Sequence, residues 1–341
     1  MRIGIVNAVE IAVEALRRVV ASKPEYQVAW IACTGAEALQ HCVRDTPDLV
    51  LMDIVMPDMN GAEASRQIMA QSPCAILIVT ATPDENSGLV FRAMGAGALD
   101  VTATPVLLGE MNFGAALLTK IAIIAKLNQA GPASAARAAK KPTATGVTSQ
   151  TSAELLIAIG ASTGGPIALA KILSQLQPSS KTAIVLVQHI DSIFADTLGC
   201  WLAKQVSIPV ETIKDGDDVA PGCIYIAKTN DHLWLDESCR FRYRSEPNDY
   251  VYRPSVNVFF ECVARHWKRQ AIGVLLTGMG RDGAEGLLAM RRSKHVTIAQ
   301  DQTSSVVYGM PRAAFELGAA QLVLPLDAIA SLLNSRIESQ T

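Results

Sequence analysis

Runs of four to eight residues, mostly apolar, alternate along most of the chain with stretches whose apolar positions recur every three or four residues. The first pattern fits buried β-strands and the second amphipathic helices. In residues 1–127 the strand candidates are IGIV (3–6), VAWIA (28–32), DLVLMD (48–53), AILIVT (75–80) and ALDVT (98–102), with helical stripes such as Val13, Leu16, Val19 and Val20 between them. Strands apolar on both faces, alternating with helices, predict a parallel sheet covered on both sides. Ligands of such sheets bind beyond the carboxyl ends of the strands, which puts Asn7, Asp53 and Thr80 at one edge.

Residues 153–341 repeat this logic with ELLIAIG (154–160), TAIVLVQ (182–188), CIYIA (223–227), AIGVLLTG (271–278), VTIAQ (296–300) and QLVLPL (321–326). Helices are expected over 166–176 and 284–292. The segment HLWLDESCRFRYR (232–244) alternates polar and apolar residues around a turn and predicts a small antiparallel insertion. Over residues 128–152 the periodicity stops, and GPASAARAAKKPTATGVTSQ reads as a flexible tether. Its Ala-rich part would also suit a helix docked on a neighbour. The expected fold class is α/β in two domains. A five-stranded doubly wound domain (1–127) and a linker (128–152) precede a doubly wound, mainly parallel domain (153–341) with the small antiparallel insertion.

Composition narrows the function classes. The 341 residues are more than twice a typical domain, and with 50% hydrophobic and 18% charged residues they suit two cores and exclude a disordered chain. Thirty basic residues face 32 acidic ones, so no basic field points to nucleic acid. The opening residues have no signal-peptide pattern, and no apolar run reaches the ~18 residues of a membrane span. A cytoplasmic protein without direct membrane insertion is expected. The seven cysteines (33, 42, 74, 200, 223, 239, 262) are scattered and never spaced C-x2-C, so they encode neither a disulfide framework nor a zinc site.

Two loops carry candidate chemistry. Asp53 ends a buried strand and is followed by IVMPDMNG, a turn that leaves its carboxylate at the edge, able to accept a phosphoryl group, to bind Mg²⁺ or simply to cap the turn. After ELLIAIG comes GASTGGP (160–166), with Pro166 in the first turn of a helix. That loop could cradle a phosphate, though it lacks the G-x-G-x-x-G spacing and a P-loop lysine. It could also be a structural turn, or it could hold Ser162 as a nucleophile with the Thr163 N–H ready for an oxyanion. A serine needs a base. Of the histidines at 41, 189, 232, 266 and 295, His189 ends a strand at the same sheet edge, whereas His266 and His295 fall in charged stretches and are expected to be solvated. LLTGMGRDG (275–283) ends another strand there and supplies Asp282 as a third member, or as an Asp-Gly turn residue.

LVLMDIVMPDMNG, with Thr80 ending the next strand and Pro105 after the last, resembles a response-regulator receiver domain over about residues 1–125. IGASTGGP, VQHI, DGDDVAPGCIYIA, RPSVNVFF, LLTGMGRDGAEGL and AQDQTSSVVYGMPRAA together resemble the catalytic domain of the chemotaxis-type protein-glutamate methylesterases over 153–337. MRIGIVN, AVEALRR and DVTATP are closer to the methylesterases of Wsp-type surface-sensing systems than to those of flagellar chemotaxis. The resemblance implies Ser162 as nucleophile, His189 as base, Asp282 as its orienting partner and the Thr163 and Met279 main-chain N–H groups as oxyanion donors. It further implies Asp53 as phosphorylation site, Thr80 as switch hydroxyl and a receiver that covers the catalytic cleft until phosphorylated.

The activity so implied is hydrolysis of glutamate methyl esters on a methylated chemoreceptor-type protein, with glutamine deamidation as a second activity and a CheA-type histidine kinase as partner. Catalysis would need no cofactor. Rival readings are a serine hydrolase for a small ester and a catalytically idle signalling adaptor. Four positions depart from the family pattern. Asn7 and Ala8 stand where receivers place two adjacent acidic ligands, which counts against a Mg²⁺ site built on Asp53 with Asn7, Glu10 or the main chain of Val55. Thr104 replaces the lysine before Pro105, and Asn257 replaces an aspartate, with little consequence expected.

Overall fold

A computed structural model describes residues 1–81, 86–105, 114–129, 153–177, 179–247, 250 and 252–339. The chain divides into two compact units, Met1–Ser134 and Ala135–Thr341. Most of the expected tether lies outside the described residues.

The first unit runs β1 (Arg2–Val6), α1 (Glu10–Ala21), β2 (Gln27–Ala32), α2 (Gly35–Arg44), β3 (Leu49–Asp53), α3 (Gly61–Gln71), β4 (Ala75–Thr80), α4 (Ser87–Gly95), β5 (Asp100–Ala103) and α5 (Ala115–Gln129). Its strands form one sheet in the order β2-β1-β3-β4-β5, all pairs parallel. All five expected strands are present, and of the expected stripe on α1 Leu16, Val19 and Val20 are buried with Ile3, Ile5, Leu49 and Leu51, while Val13 is half-buried. Thr34 and Asn60 cap α2 and α3 by accepting the Glu37 and Glu63 N–H groups. The carboxyl ends of β1, β3 and β4 carry Asn7, Asp53 and Thr80 to one edge.

The second unit continues with β6 (Leu155–Ala161), α6 (Gly165–Leu173), β7 (Thr182–Gln188), α7 (Ala195–Leu202), β8 (Val210–Thr212), β9 (Ile224–Ile226), β10 (His232–Leu235) and β11 (Phe241–Arg244). Then come α8 (Val256–His266), β12 (Gln270–Leu275), α9 (Ala284–Arg292), β13 (Val296–Gln300), α10 (Met310–Glu316), β14 (Leu322–Leu324) and α11 (Leu326–Glu338). A seven-stranded sheet has the order β14-β13-β12-β6-β7-β9-β8 with parallel pairing, and β10 and β11 form the expected antiparallel pair. Helix α6 stops at Leu173, three residues short of its expected end, and the short edge strand β8 was not legible in the pattern.

From β6 the chain first builds outward through β7 and β9, then crosses back to add β12 on the other side of β6. This reversal opens a crevice beyond the carboxyl ends of β6 and β12, where doubly wound sheets hold their ligands. Beneath it, α8 buries Val256, Phe259, Phe260 and Val263 in a core shared with Leu156, Val185, Leu275 and Leu287.

Candidate active site

Ser162 follows β6, His189 follows β7, and Asp282 lies in the turn after β12, so three neighbouring strands deliver them to one crevice. Ala161 pairs with Gln188 across β6 and β7, and the His189 N–H donates to the Ala161 carbonyl at 3.0 Å. The Gln188 side chain ties the two strand ends, its Nε2 donating to the Ser162 carbonyl at 2.9 Å and to the His189 carbonyl at 3.3 Å. Sequence patterning gave Gln188 no part in the site, because nothing local shows where a strand-terminal amide will turn.

The serine turn is pinned on its other side. Ser162 N–H donates to the Thr277 carbonyl at 3.0 Å, and the Thr277 hydroxyl donates to the Thr163 carbonyl at 2.9 Å. Gly164 sits at φ +77°, where a side chain would be strained, and a Cβ there would come within 2.6 Å of Val306. A Cβ on Gly278 would lie 2.7 Å from that of Ser162, so only glycine lets the Met279 turn approach the serine this closely. Among the described residues neither the Thr163 nor the Met279 N–H has an acceptor, which leaves both donors for a ligand.

His189 and Asp282 are both buried, and Nε2 of the ring meets Oδ2 of the carboxylate at 2.7 Å. With Nε2 donating to a carboxylate, the neutral ring keeps its lone pair on Nδ1, which is buried and has no partner among the described residues. This is the reverse of the serine-protease arrangement, where the carboxylate takes Nδ1. Tyr252 stacks on the imidazole with ring centroids 4.2 Å apart and planes 10° from parallel, fixing the plane of the ring. No hydrogen bond joins Ser162 Oγ to His189 among the described residues.

Asp282 has three further donors. Ser255 Oγ (2.7 Å) and Asn257 N–H (3.0 Å) meet Oδ1, and Val256 N–H (2.7 Å) meets Oδ2. Ser255 is the N-cap of α8, so the carboxylate sits on that helix's open end. Burial pushes the Asp282 carboxyl up, but His189, the Asn257 N–H and the Ser255 hydroxyl outweigh it and hold the group below its ordinary range. The Asn257 amide oxygen also accepts the Gly286 N–H at 2.9 Å, in the first turn of α9. The acceptor needed there is served without a second charge, which explains how asparagine replaces aspartate at this position.

The other histidines separate clearly. His295, expected to be solvated, is buried to 9% exposure, and His266 is half-buried. The reason is position: His295 leads into β13 under the end of α9, where the main chain turns inward, so charged sequence neighbours say little about its own ring. Burial depresses the basicity of both. His232 is fully buried.

In the first unit Asp53 is 8% exposed, and its Oδ1 accepts the Ile54 N–H at 2.7 Å and the Val55 N–H at 3.4 Å. Burial raises its pKa, and the two N–H groups only partly offset this. Thr80 is buried at the end of β4, and its carbonyl accepts the Thr104 N–H at 2.9 Å. The Thr104 hydroxyl is buried with no partner among the described residues. Asn7 Oδ1 is engaged by the Val9 N–H at 2.8 Å, Ala8 offers a methyl group, and Glu10 is exposed on the first turn of α1. A hard divalent cation wants about six oxygens including acidic ones, and the buried edge supplies one carboxylate, so the residues present do not fit a strong Mg²⁺ site.

Comparison with known proteins agrees with both units. The CheB methylesterase family matches residues 157–333, and the response regulator receiver domain matches residues 3–111. Over 339 residues the chain is 50% identical to protein-glutamate methylesterase/protein-glutamine glutaminase 3 of Pseudomonas aeruginosa, covering 98% of each chain. It is 48% identical over 333 residues to protein-glutamate methylesterase/protein-glutamine glutaminase 1 of Cupriavidus pinatubonensis, covering 98% of this chain and 96% of that one. The crystal structure of the Thermotoga maritima CheB methylesterase catalytic domain aligns with 56% of this chain and 100% of its own, at 32% identity and a TM-score of 0.50. A serine turn, a histidine–carboxylate pair and a receiver domain in one chain, with these relatives along its whole length, place the protein in the CheB methylesterase family.

Proposed function

We propose that this chain hydrolyses glutamate γ-methyl esters on a methylated chemoreceptor-type protein, with Ser162, His189 and Asp282 as its catalytic residues. The observation that carries the reading is the buried 2.7 Å His189–Asp282 pair, whose Nδ1 has no partner among the described residues, at the end of the strand that pairs with the one before Ser162. Ser162 Oγ attacks the ester carbonyl while Nδ1 of His189 takes its proton. The oxyanion rests on the Thr163 and Met279 N–H groups. As the C–O bond breaks, methanol leaves with the proton returned by His189. Water, deprotonated by the same nitrogen, then releases the glutamate and restores the serine. Asp282 keeps the proton on Nε2 and balances the imidazolium formed in each half-reaction. A glutamine side chain fits the same path with ammonia as the leaving group.

Control falls to the receiver. A CheA-type histidine kinase donates a phosphoryl group to Asp53, Thr80 responds through its hydroxyl, and the esterase is released from inhibition. The protein works in the cytoplasm, within a Wsp-type surface-sensing system. Methanol release from a methylated receptor, compared between the native chain and Ser162→Ala, tests the core of the reading. Release that survives Ser162→Ala removes the serine mechanism. Turnover of small esters with none of receptor esters favours the small-ester hydrolase, and no turnover of either favours the signalling adaptor.

A further inference from the structure

His232 begins β10 in the antiparallel insertion, 43 residues after His189, and has no exposed surface. Both of its ring nitrogens are engaged, Nε2 with the Pro247 carbonyl at 2.9 Å and Nδ1 with the Ser255 N–H at 3.1 Å. A carbonyl can only accept and a main-chain N–H can only donate, so the proton is on Nε2 and the lone pair on Nδ1. Ser255 passes the connection on. Its N–H is held by His232, its hydroxyl accepts the Val258 N–H at 3.4 Å and donates to Asp282 Oδ1 at 2.7 Å, and Asp282 Oδ2 takes His189 Nε2 at 2.7 Å. A continuous series of hydrogen bonds therefore links the Pro247 carbonyl through His232, Ser255 and Asp282 to the catalytic base, with Ser255 donating to both of its neighbours and Asp282 accepting from both of its own.

We propose that His232 is a positioning residue for the ester hydrolysis: by accepting the Ser255 N–H it fixes the first turn of α8, and with it the angle at which Asp282 holds His189. The inference rests on the catalytic reading above. Three of Asp282's four donors come from residues 255–257, so a shift of that turn moves the carboxylate as a unit. Without an acceptor at Nδ1, a buried N–H would be left unpaired and the turn would move to satisfy it. The base would then meet Ser162 at a poorer angle, and small misplacements of this kind cost up to about 100-fold in rate. Neither His232 nor Ser255 needs to touch substrate for this to happen.

The test is steady-state methanol release by the full chain from a synthetic helical peptide bearing one glutamate γ-methyl ester, with folding checked by circular dichroism. His232→Leu should lower kcat by about 10- to 100-fold with KM within about twofold of the native value. His232→Asn puts an amide oxygen near the Nδ1 position and should recover kcat to within about threefold. His232→Gln reaches the Nε2 position, leaves the Ser255 N–H without an acceptor and should track His232→Leu. Equal kcat for the Asn and Gln variants overturns the proposal, as does a loss confined to KM or a failure of all three variants to fold, which would make His232 a residue of stability alone. A native chain that releases no methanol would instead overturn the catalytic reading itself.

Discussion

Asp53 and Asp282 are both buried carboxylates at the carboxyl edge of a parallel sheet, 8% and 9% exposed, yet burial has opposite outcomes for them. Asp282 receives four donors spread over both oxygens, three of them from the open end of α8, and its pKa falls. Asp53 receives two N–H groups on one oxygen, the second at 3.4 Å, and its pKa rises. Depth alone therefore does not set the charge of a buried acid; the number and aim of the donors do. A carboxylate fully paired by the fold is suited to hold a histidine through many turnovers. One left short of partners is suited to react, and it gains most from anything that neutralises it.

The largest difference should appear in catalysis. Asp282→Asn keeps the shape but removes the charge and the tautomer control, and methanol release should fall by about 10³- to 10⁴-fold. Asp53→Asn should leave the rate of the unphosphorylated chain within about threefold. Similar losses for both would erase the distinction. On the proposed triad, Ser162→Ala and His189→Ala should each abolish turnover, and the double variant should be hardly slower than either, since residues that act as a unit do not lose activity additively. Additive losses would contradict the assignment.

Stability should separate the two acids next. Asp282→Ala orphans the Ser255, Val256 and Asn257 donors and unpairs His189, costing about 3–5 kcal/mol in denaturant unfolding of the catalytic domain. Asp53→Asn removes an under-paired buried charge and should stabilise the receiver by about 1 kcal/mol. A destabilised Asp53→Asn receiver would mean that the two N–H bonds already compensate the charge.

The comparison can also be sharpened by giving Asp53 a missing neighbour. Ala8→Asp adds an acidic oxygen donor at the same edge and should raise Mg²⁺-dependent labelling of Asp53 by a small-molecule phosphodonor at least tenfold, about 1.4 kcal/mol in the barrier. If the native chain is labelled as fast at millimolar Mg²⁺, the edge is better furnished than its side chains imply.

Acid titration should give the smallest effects, with opposite signs. The depressed Asp282 contributes stability above the ordinary carboxylate pKa of about 3.9, and that contribution is lost as pH falls through its lowered value. The raised Asp53 works the other way: its contribution is full below about pH 3.9 and is lost as pH rises through its raised value. Buried His232 and His295, both depressed, bind protons more readily unfolded, so they cost the catalytic domain under about 1 kcal/mol each between pH 7 and 6. Peptide-resolved hydrogen exchange at pH 7, 6 and 5 should show the catalytic domain loosening ahead of the receiver. Equal loosening would count against this assignment of the buried histidines.

Much of this could be read along the chain. Eleven strands and the antiparallel insertion follow from apolar runs between turn residues, and Ser162, His189, Asp53 and Asp282 stand out because each follows or ends such a run. Strand β8, with half-buried Val210 and Thr212 around exposed Glu211 at the sheet edge, is too short for its pattern to be told from a loop. Ser255 caps α8 in the structure, and nothing local says that its hydroxyl meets a carboxylate 27 residues later. Tyr252 and His232 are missed for the same reason, since a ring's stacking partner or hydrogen-bond acceptor is set by the packing of distant segments.

By itself the sequence determined the two α/β units, the strand ends that carry the chemistry and the departure at Ala8, because period, turn residues and side-chain type are local properties of the chain. Only the tertiary structure decided which histidine nitrogen faces the acid, that Asp282 rests on the end of α8, and that His232 stands behind it. Those facts depend on how segments far apart in the chain share one low-dielectric interior, where every buried polar group must find its partner or shift its charge.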